Sequence, residues 1–197
     1  VSDVPGHSPE PLDAPTVLFI CTANQCRSPM AEAIGRTWVT AHGAQAVVGS
    51  AGFLPGDVAV HPGSVRAMAR RGVDISAHRS RQLTPELVDW ANLVVTMERA
   101  HLMSLAEFSP TVVQRAFPLR ELDSLASLIG PRRAGETVLG WSTRAAAARL
   151  PGAVLHYGTD DDVVDPMGKG TRAFRRTADE LEELIGRVFG WAFPTGG

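Results

Sequence analysis

The run Thr16 to Cys21, T-V-L-F-I-C, is continuous apolar and β-branched sequence. Within six residues it passes into R-S-P and a long helical pattern. A strand without polar alternation must be covered on both faces, which is the situation of a strand inside a parallel sheet. Similar runs recur at Ala46 to Ala51, Leu93 to Met97 and Val113 to Phe117. Helical patterns lie between them. Ser28 and Pro29 read as an N-cap and a first-turn proline ahead of M-A-E-A-I-G-R-T-W-V-T-A-H, which ends at Gly43. Further helices are expected over Pro62 to Arg71, Pro85 to Trp90 and Arg99 to Phe108. In the last segment Phe174, Ala178, Leu181, Ile185 and Val188 form one apolar stripe. Alternating strands and helices predict an α/β fold: a doubly wound, four-stranded parallel sheet with helices on both faces.

A length of 197 residues suits one domain. It is expected to span 16–193, between a proline-rich tail at 1–15 and a short tail at 194–197. The stretch 121–162 fits the alternation less well and reads as an insertion before the last helix, with loops around a helix near Ser142 to Leu150. A net charge of −2 offers no basic face, so no nucleic-acid partner is expected. No apolar run approaches the ~20 residues of a membrane span, and the first residues lack the pattern of a secretory signal. The expectation is a cytoplasmic protein with no membrane partner. No feature of the sequence fixes an oligomeric state.

The chain has two cysteines, Cys21 and Cys26, both in C-T-A-N-Q-C-R-S-P. So close together they cannot staple a fold of this size, and a reducing compartment would keep them as thiols. If β-structure ends at Cys21 and a helix starts near Ser28, the loop between curls at the positive end of that helix, with backbone N–H groups available to an anion. Such a cradle favours the thiolate of a cysteine at its base, making Cys21 a nucleophile. Arg27 brings a planar fork that grips two phosphoryl oxygens and stabilises charge on them in the transition state. The histidines have no spacing that makes a metal site, so neither a metal nor a cofactor is expected.

These residues resemble the low-molecular-weight protein tyrosine phosphatases, whose loop reads C-x-G-N-x-C-R-S followed by P-M-A-E. Ala23 departs from the family's Gly, which would restrict a loop position that takes positive φ. The likeness continues through G-S-A-G-F (49–53), G-V-D-I-S-A-H-R-S-R-Q-L-T (72–84), N-L-V-V-T-M-E (92–98) and D-D-D-V-V-D-P-M-G-K-G (160–170).

The resemblance implies that Cys21 attacks phosphorus to give a phosphocysteine and that residues 21 to 27 (Cys21, Thr22, Ala23, Asn24, Gln25, Cys26 and Arg27) bind the phosphate. It makes Asp165 the acid that protonates the leaving oxygen and then the base that activates water. Asn24, Ser28, Ser50 and His78 match the network that supports the loop, with Ser28 also donating to the Cys21 sulfur. Cys26 matches a second loop cysteine that can close a reversible disulfide with the nucleophile.

The implied substrate is a phosphorylated protein, phosphotyrosine first, with phosphoarginine or a small phosphate ester as the alternatives. The implied pocket is Gln25, Phe53, Leu54 and Met167. Tyrosine-directed members commonly carry aromatic residues after D-P, where this chain has Met167 and Gly168. Gln25 matches neither the aliphatic residue that accompanies phosphotyrosine nor the Thr that accompanies phosphoarginine. Arg79 and Arg81 are candidates for attracting an acidic substrate. Arsenate reductase is the second enzyme class on this loop. Its thioredoxin-coupled form needs distal cysteines that are missing after Cys26, which leaves a form using a small thiol.

Overall fold

A computed structural model describes residues 14–150, 152, 154 and 158–194. Residues 1–13 and 195–197 of the two expected tails lie outside that set. The elements run β1 (Thr16–Cys21), α1 (Arg27–Ala41), β2 (Val47–Gly52), α2 (Pro62–Ala69), α3 (Pro85–Trp90), β3 (Leu93–Thr96) and α4 (Arg99–Phe108). A 3-10 turn (Pro110–Gln114) then precedes β4 (Ala116–Pro118), α5 (Leu119–Ile129), α6 (Val138–Ala147) and α7 (Thr171–Ala192). The four strands form one sheet in the order β2-β1-β3-β4, with every pairing parallel.

Successive side chains of a strand face opposite sides, and β1 uses both. Val17, Phe19 and Cys21 point into a core shared with Met30, Ile34, Phe174, Leu181, Ile185 and Phe189. Leu18 and Ile20 point into the opposite core with Val88, Leu102, Leu105 and Val112. The first core is roofed by α1 and α7, where Phe19 and Phe189 stack with ring centroids 6.2 Å apart. The apolar stripe expected on α7 is buried at each of its five positions. Cys21 therefore reaches the C-terminal edge of the sheet on the α1 side. It lies on β1, whose neighbours β2 and β3 flank it on either side, and at such a switch in strand order the loops part to leave a crevice.

Three expectations change. α1 begins at Arg27, with Cys26 at the N-cap position and no side-chain cap, so Ser28 lies inside the helix and does not cap it. Its hydroxyl is engaged by the loop instead. β4 is only three residues long, because the chain from Pro110 to Gln114 winds into a 3-10 turn that buries Val112 before Ala116 joins the sheet. Within 121–162, of which 151, 153 and 155–157 lie outside the described residues, the chain is not loops around a single helix. α5 follows directly from β4 and buries Leu119, Leu122, Leu125 and Ala126 along one face. The second helix, α6, starts at Val138, four residues before the expected position, and Trp141 anchors it by donating from Nε1 to the Gly130 carbonyl at 3.1 Å. Among the described residues no helix is long and apolar enough to cross a membrane.

Candidate active site

Residues 22–26 link β1 to α1, and their amides donate to no carbonyl or side chain among the described residues. A row of unsatisfied N–H groups leading into a helix N-terminus is an anion cradle. Its shape is held from below by Asn24, which is fully buried and sits at φ 52°. Asn accepts that left-handed conformation better than most residues. The positive φ thus falls at Asn24 and not at Ala23, so the missing glycine at position 23 imposes no restriction. Asn24 Nδ2 donates to Ser28 Oγ at 2.9 Å and to Ser50 Oγ at 2.8 Å. Its Oδ1 accepts from the Arg81 amide at 2.8 Å and lies 3.2 Å from His78 Nε2. His78 Nε2 is also 3.2 Å from the Asn24 carbonyl. Both partners are acceptors, so Nε2 carries the proton, and burial pushes the His78 pKa down and keeps the ring neutral.

Ser28 Oγ lies 3.0 Å from Cys21 Sγ. That oxygen accepts from Asn24, and its own hydrogen has two acceptors in reach, the sulfur and, farther off at 3.4 Å, the Ala51 carbonyl; given to the nearer sulfur, it holds a thiolate. Ser50 in turn donates to Glu32, a carboxylate paired with Arg36 at 2.7 Å. Gly52 lets β2 lie against the loop. A Cβ there would stand 2.6 Å from the Asn24 amide nitrogen and 2.8 Å from the Ala23 carbonyl carbon. Immediately beyond it, the amides of Phe53 and Leu54 both donate to the Thr22 carbonyl, at 2.8 and 3.1 Å.

Arg27 is buried. Its Nη1 donates to Glu98 and, at 3.0 Å, to the Val163 carbonyl, while Nη2 donates to Asp165 Oδ2 at 2.8 Å. Arg27 Nε is buried with no partner. Asp165 Oδ1 accepts from the Met167 amide at 3.0 Å, and its half-exposed carboxyl stands at the rim of the loop. Cys26 is buried under the loop, and its carbonyl lies 3.5 Å from Ser64 Oγ. Burial pushes the Cys26 thiol up to about 12, and both cysteines are free thiols.

The structure thus brings together Cys21, Asn24, Arg27, Ser28, Ser50, His78 and Asp165. The pocket candidates are more dispersed. Phe53 stacks on His101 at 5.7 Å between centroids, and His101 Nε2 is 3.0 Å from Thr22 Oγ1. Leu54 and Met167 are exposed on the surface. Gln25 is held through its carbonyl, which accepts from the His61 amide at 2.9 Å. Arg81 is not a substrate-attracting arm: its guanidinium is spent on the Ser50 carbonyl at 3.0 and 3.2 Å, inside the scaffold.

Sequence reasoning missed Glu32, Glu98 and His101. Glu32 and Glu98 end the quoted blocks P-M-A-E and T-M-E, where their types alone gave no role. His101 has no sequence signal and reaches Thr22 only through the sheet.

Residues 16–128 match the family described as low molecular weight phosphotyrosine protein phosphatase. A protein-arginine-phosphatase of Geobacillus stearothermophilus is 30% identical over 178 residues, covering 87% of this chain and 92% of that protein. An arsenate reductase of Brevibacillus brevis is 39% identical over 100 residues, covering 51% of this chain and 70% of that protein. The crystal structure of a low molecular weight protein tyrosine phosphatase from T. tengcongensis superposes with a TM-score of 0.69 at 29% identity, over 89% of this chain and 98% of that one. With the match running from β1 through α5, the chain belongs to the low molecular weight phosphotyrosine protein phosphatase family.

Proposed function

We propose that this phosphatase hydrolyses phosphorylated protein side chains, phosphotyrosine first, through a phosphocysteine on Cys21. The observation that carries this reading is the 3.0 Å contact between Cys21 Sγ and Ser28 Oγ beneath a loop of unpartnered amides. A phosphoryl group seated there would receive those amides and the unpaired Arg27 Nε, the kind of donor set that stabilises charge spread over non-bridging oxygens. Glu98 and the Val163 carbonyl already fix the Nη1 side of Arg27, and Nη2 exchanges Asp165 for a phosphoryl oxygen when the group binds.

In the first step the Cys21 thiolate forms a sulfur–phosphorus bond as the bond from phosphorus to the leaving oxygen breaks. Asp165, protonated for this step, gives its proton to that oxygen, so the product departs as an alcohol or phenol. In the second step Asp165, now a carboxylate, takes a proton from water. The resulting hydroxide oxygen attacks phosphorus, and the Cys21 thiolate leaves, steadied by Ser28. The side chains of Asn24, Ser50 and His78 hold the loop's shape and touch no reacting atom. Burial keeps Cys26 protonated, so it does not compete as a nucleophile; its redox role becomes a reversible disulfide after Cys21 is oxidised.

The Phe53 ring, braced against His101, supplies one flat apolar wall near the loop, and Leu54 and Met167 supply an exposed rim. A second reading is phosphoarginine, favoured by the similarity over most of the chain to a protein-arginine-phosphatase and by two carboxylates, Glu98 and Asp165, beside Arg27 that suit a guanidinium leaving group. Turnover measured side by side on phosphotyrosine, phosphoarginine and phosphoserine peptides, a small aryl phosphate, and arsenate with a thiol tests both. The expected ranking places phosphotyrosine and the aryl phosphate first. Arsenate reduction without ester hydrolysis would overturn the phosphatase reading, and a strong preference for phosphoarginine would replace the first substrate by the second.

A further inference from the structure

The loop that carries Asp165 is tied down residue by residue. The Arg99 guanidinium pairs with Asp161, and the Arg99 amide, the first of α4, donates to Asp162 Oδ1 at 2.7 Å. That bond supplies the side-chain cap that Glu98, at the N-cap of α4, does not provide. The Val163 amide donates to the Met97 carbonyl at 2.8 Å, and the Val163 carbonyl accepts from Arg27. Thr177 on α7 donates to the Val164 carbonyl at 3.3 Å.

Behind the first of these ties stands a buried ionic chain that the reaction does not use. Arg99 Nη1 reaches Glu121 Oε1 at 3.1 Å, and Arg149 Nη2 reaches Glu121 Oε2 at 2.8 Å. The Arg149 guanidinium lies over the Phe117 ring, 4.1 Å from its centroid, and donates to the carbonyls of Val113 and Ala116. All three side chains are more than nine-tenths buried. Removing charged groups from water costs several kcal/mol each, and apolar replacements of similar volume are often at least as stable. What the chain of charges adds is a fixed geometry: it runs from β4 and α5 to Asp161, four residues before Asp165.

We propose that Arg99 is a positioning residue for Asp165: braced by Glu121 and Arg149, it fixes Asp161 and so sets where the acid stands over the cradle. The inference rests on the reading of Asp165 as proton donor. Arg99 touches no reacting atom and acts only through the loop.

The test is kcat/KM on two aryl phosphates, phenyl phosphate, whose leaving oxygen is basic and needs a proton, and p-nitrophenyl phosphate, whose leaving oxygen barely does. A general acid contributes on the order of 10²–10⁴-fold where the leaving group needs it. Partial misplacement in Asp161→Asn is expected to cost roughly tenfold on phenyl phosphate and less than about twofold on the nitro ester. Arg99→Gln should give the same selective loss. Asp161→Asn leaves the buried pair of Arg99 and Glu121 intact, which keeps the inference testable where Arg99→Gln does not fold. Added to Asp165→Asn, Asp161→Asn should cost nothing more. Equal losses on both esters in Asp161→Asn, or a further loss in the double variant, would overturn the positioning role while the acid assignment stands. If Asp165→Asn itself lost nothing on phenyl phosphate, the acid assignment would fall and the inference with it.

Discussion

At the scale of single residues the site divides its two thiols by environment. Cys21 ends a buried strand beside a hydroxyl and under free amides, whereas Cys26, five residues on, is pushed up to about 12 by burial. Iodoacetate at neutral pH is therefore expected to alkylate Cys21 alone, with inorganic phosphate protecting it, as peptide mass mapping would read. Ser28→Ala should slow that alkylation about tenfold or more, since a hydrogen bond to a charged group is worth ~1.5–3 kcal/mol. Modification of Cys26 at a comparable rate would refute the division. The loop motif and the family resemblance it carries made the residues legible beforehand: the structure places Cys21, Asn24, Arg27 and Ser28 together. Ser28 as a helix cap was wrong because the loop consumes its hydroxyl, and the helix starts two residues earlier, at Arg27 with Cys26 in the cap position and no side-chain cap.

At the scale of elements, the cradle depends on how closely β2 approaches the β1–α1 loop. Gly52 faces backbone atoms, not a flexible side chain that might swing away. Gly52→Ala must therefore displace the loop itself. The expected result is a loss of kcat/KM on the order of 10²-fold, as for ~1 Å misplacements at an active site, with far-ultraviolet circular dichroism unchanged. An unaltered kcat/KM would mean that the loop tolerates movement. Elements with long regular patterns, such as α7 and β1, could be read from apolar periodicity alone. The pattern failed at β4, where a 3-10 turn and a three-residue strand offer too few positions to show a period. It failed also at Glu121 and Arg149, which look like surface charges in sequence and are buried because they pair with each other and with Arg99.

At the scale of the molecule, two histidines report on the packing around the site. Burial holds the His101 pKa down to about 4; Glu98 opposes this, Arg27 adds to it and Asp165 opposes it. An unfolded histidine titrates near 6.5, so between about 6.5 and 4 the unfolded chain binds the extra proton and the folded chain does not. Stability must fall as pH falls through that window. His101 contributes about 3 kcal/mol to the drop, and His78, also lowered by burial, acts in the same direction. Urea denaturation at a series of pH values should show a flatter acid limb for His101→Gln than for the parent chain. Identical limbs would show that the imidazole is not buried as described.

Through all three scales the central claim is covalent: the phosphoryl group passes through the sulfur of Cys21. Rapid acid quenching during turnover of an aryl phosphate, followed by digestion and mass spectrometry, reads it directly. The account predicts one phosphoryl group on the peptide bearing Cys21, absent in Cys21→Ser, which should also lack turnover. Full turnover by Cys21→Ser, or a phosphoryl group found on another residue, would contradict it.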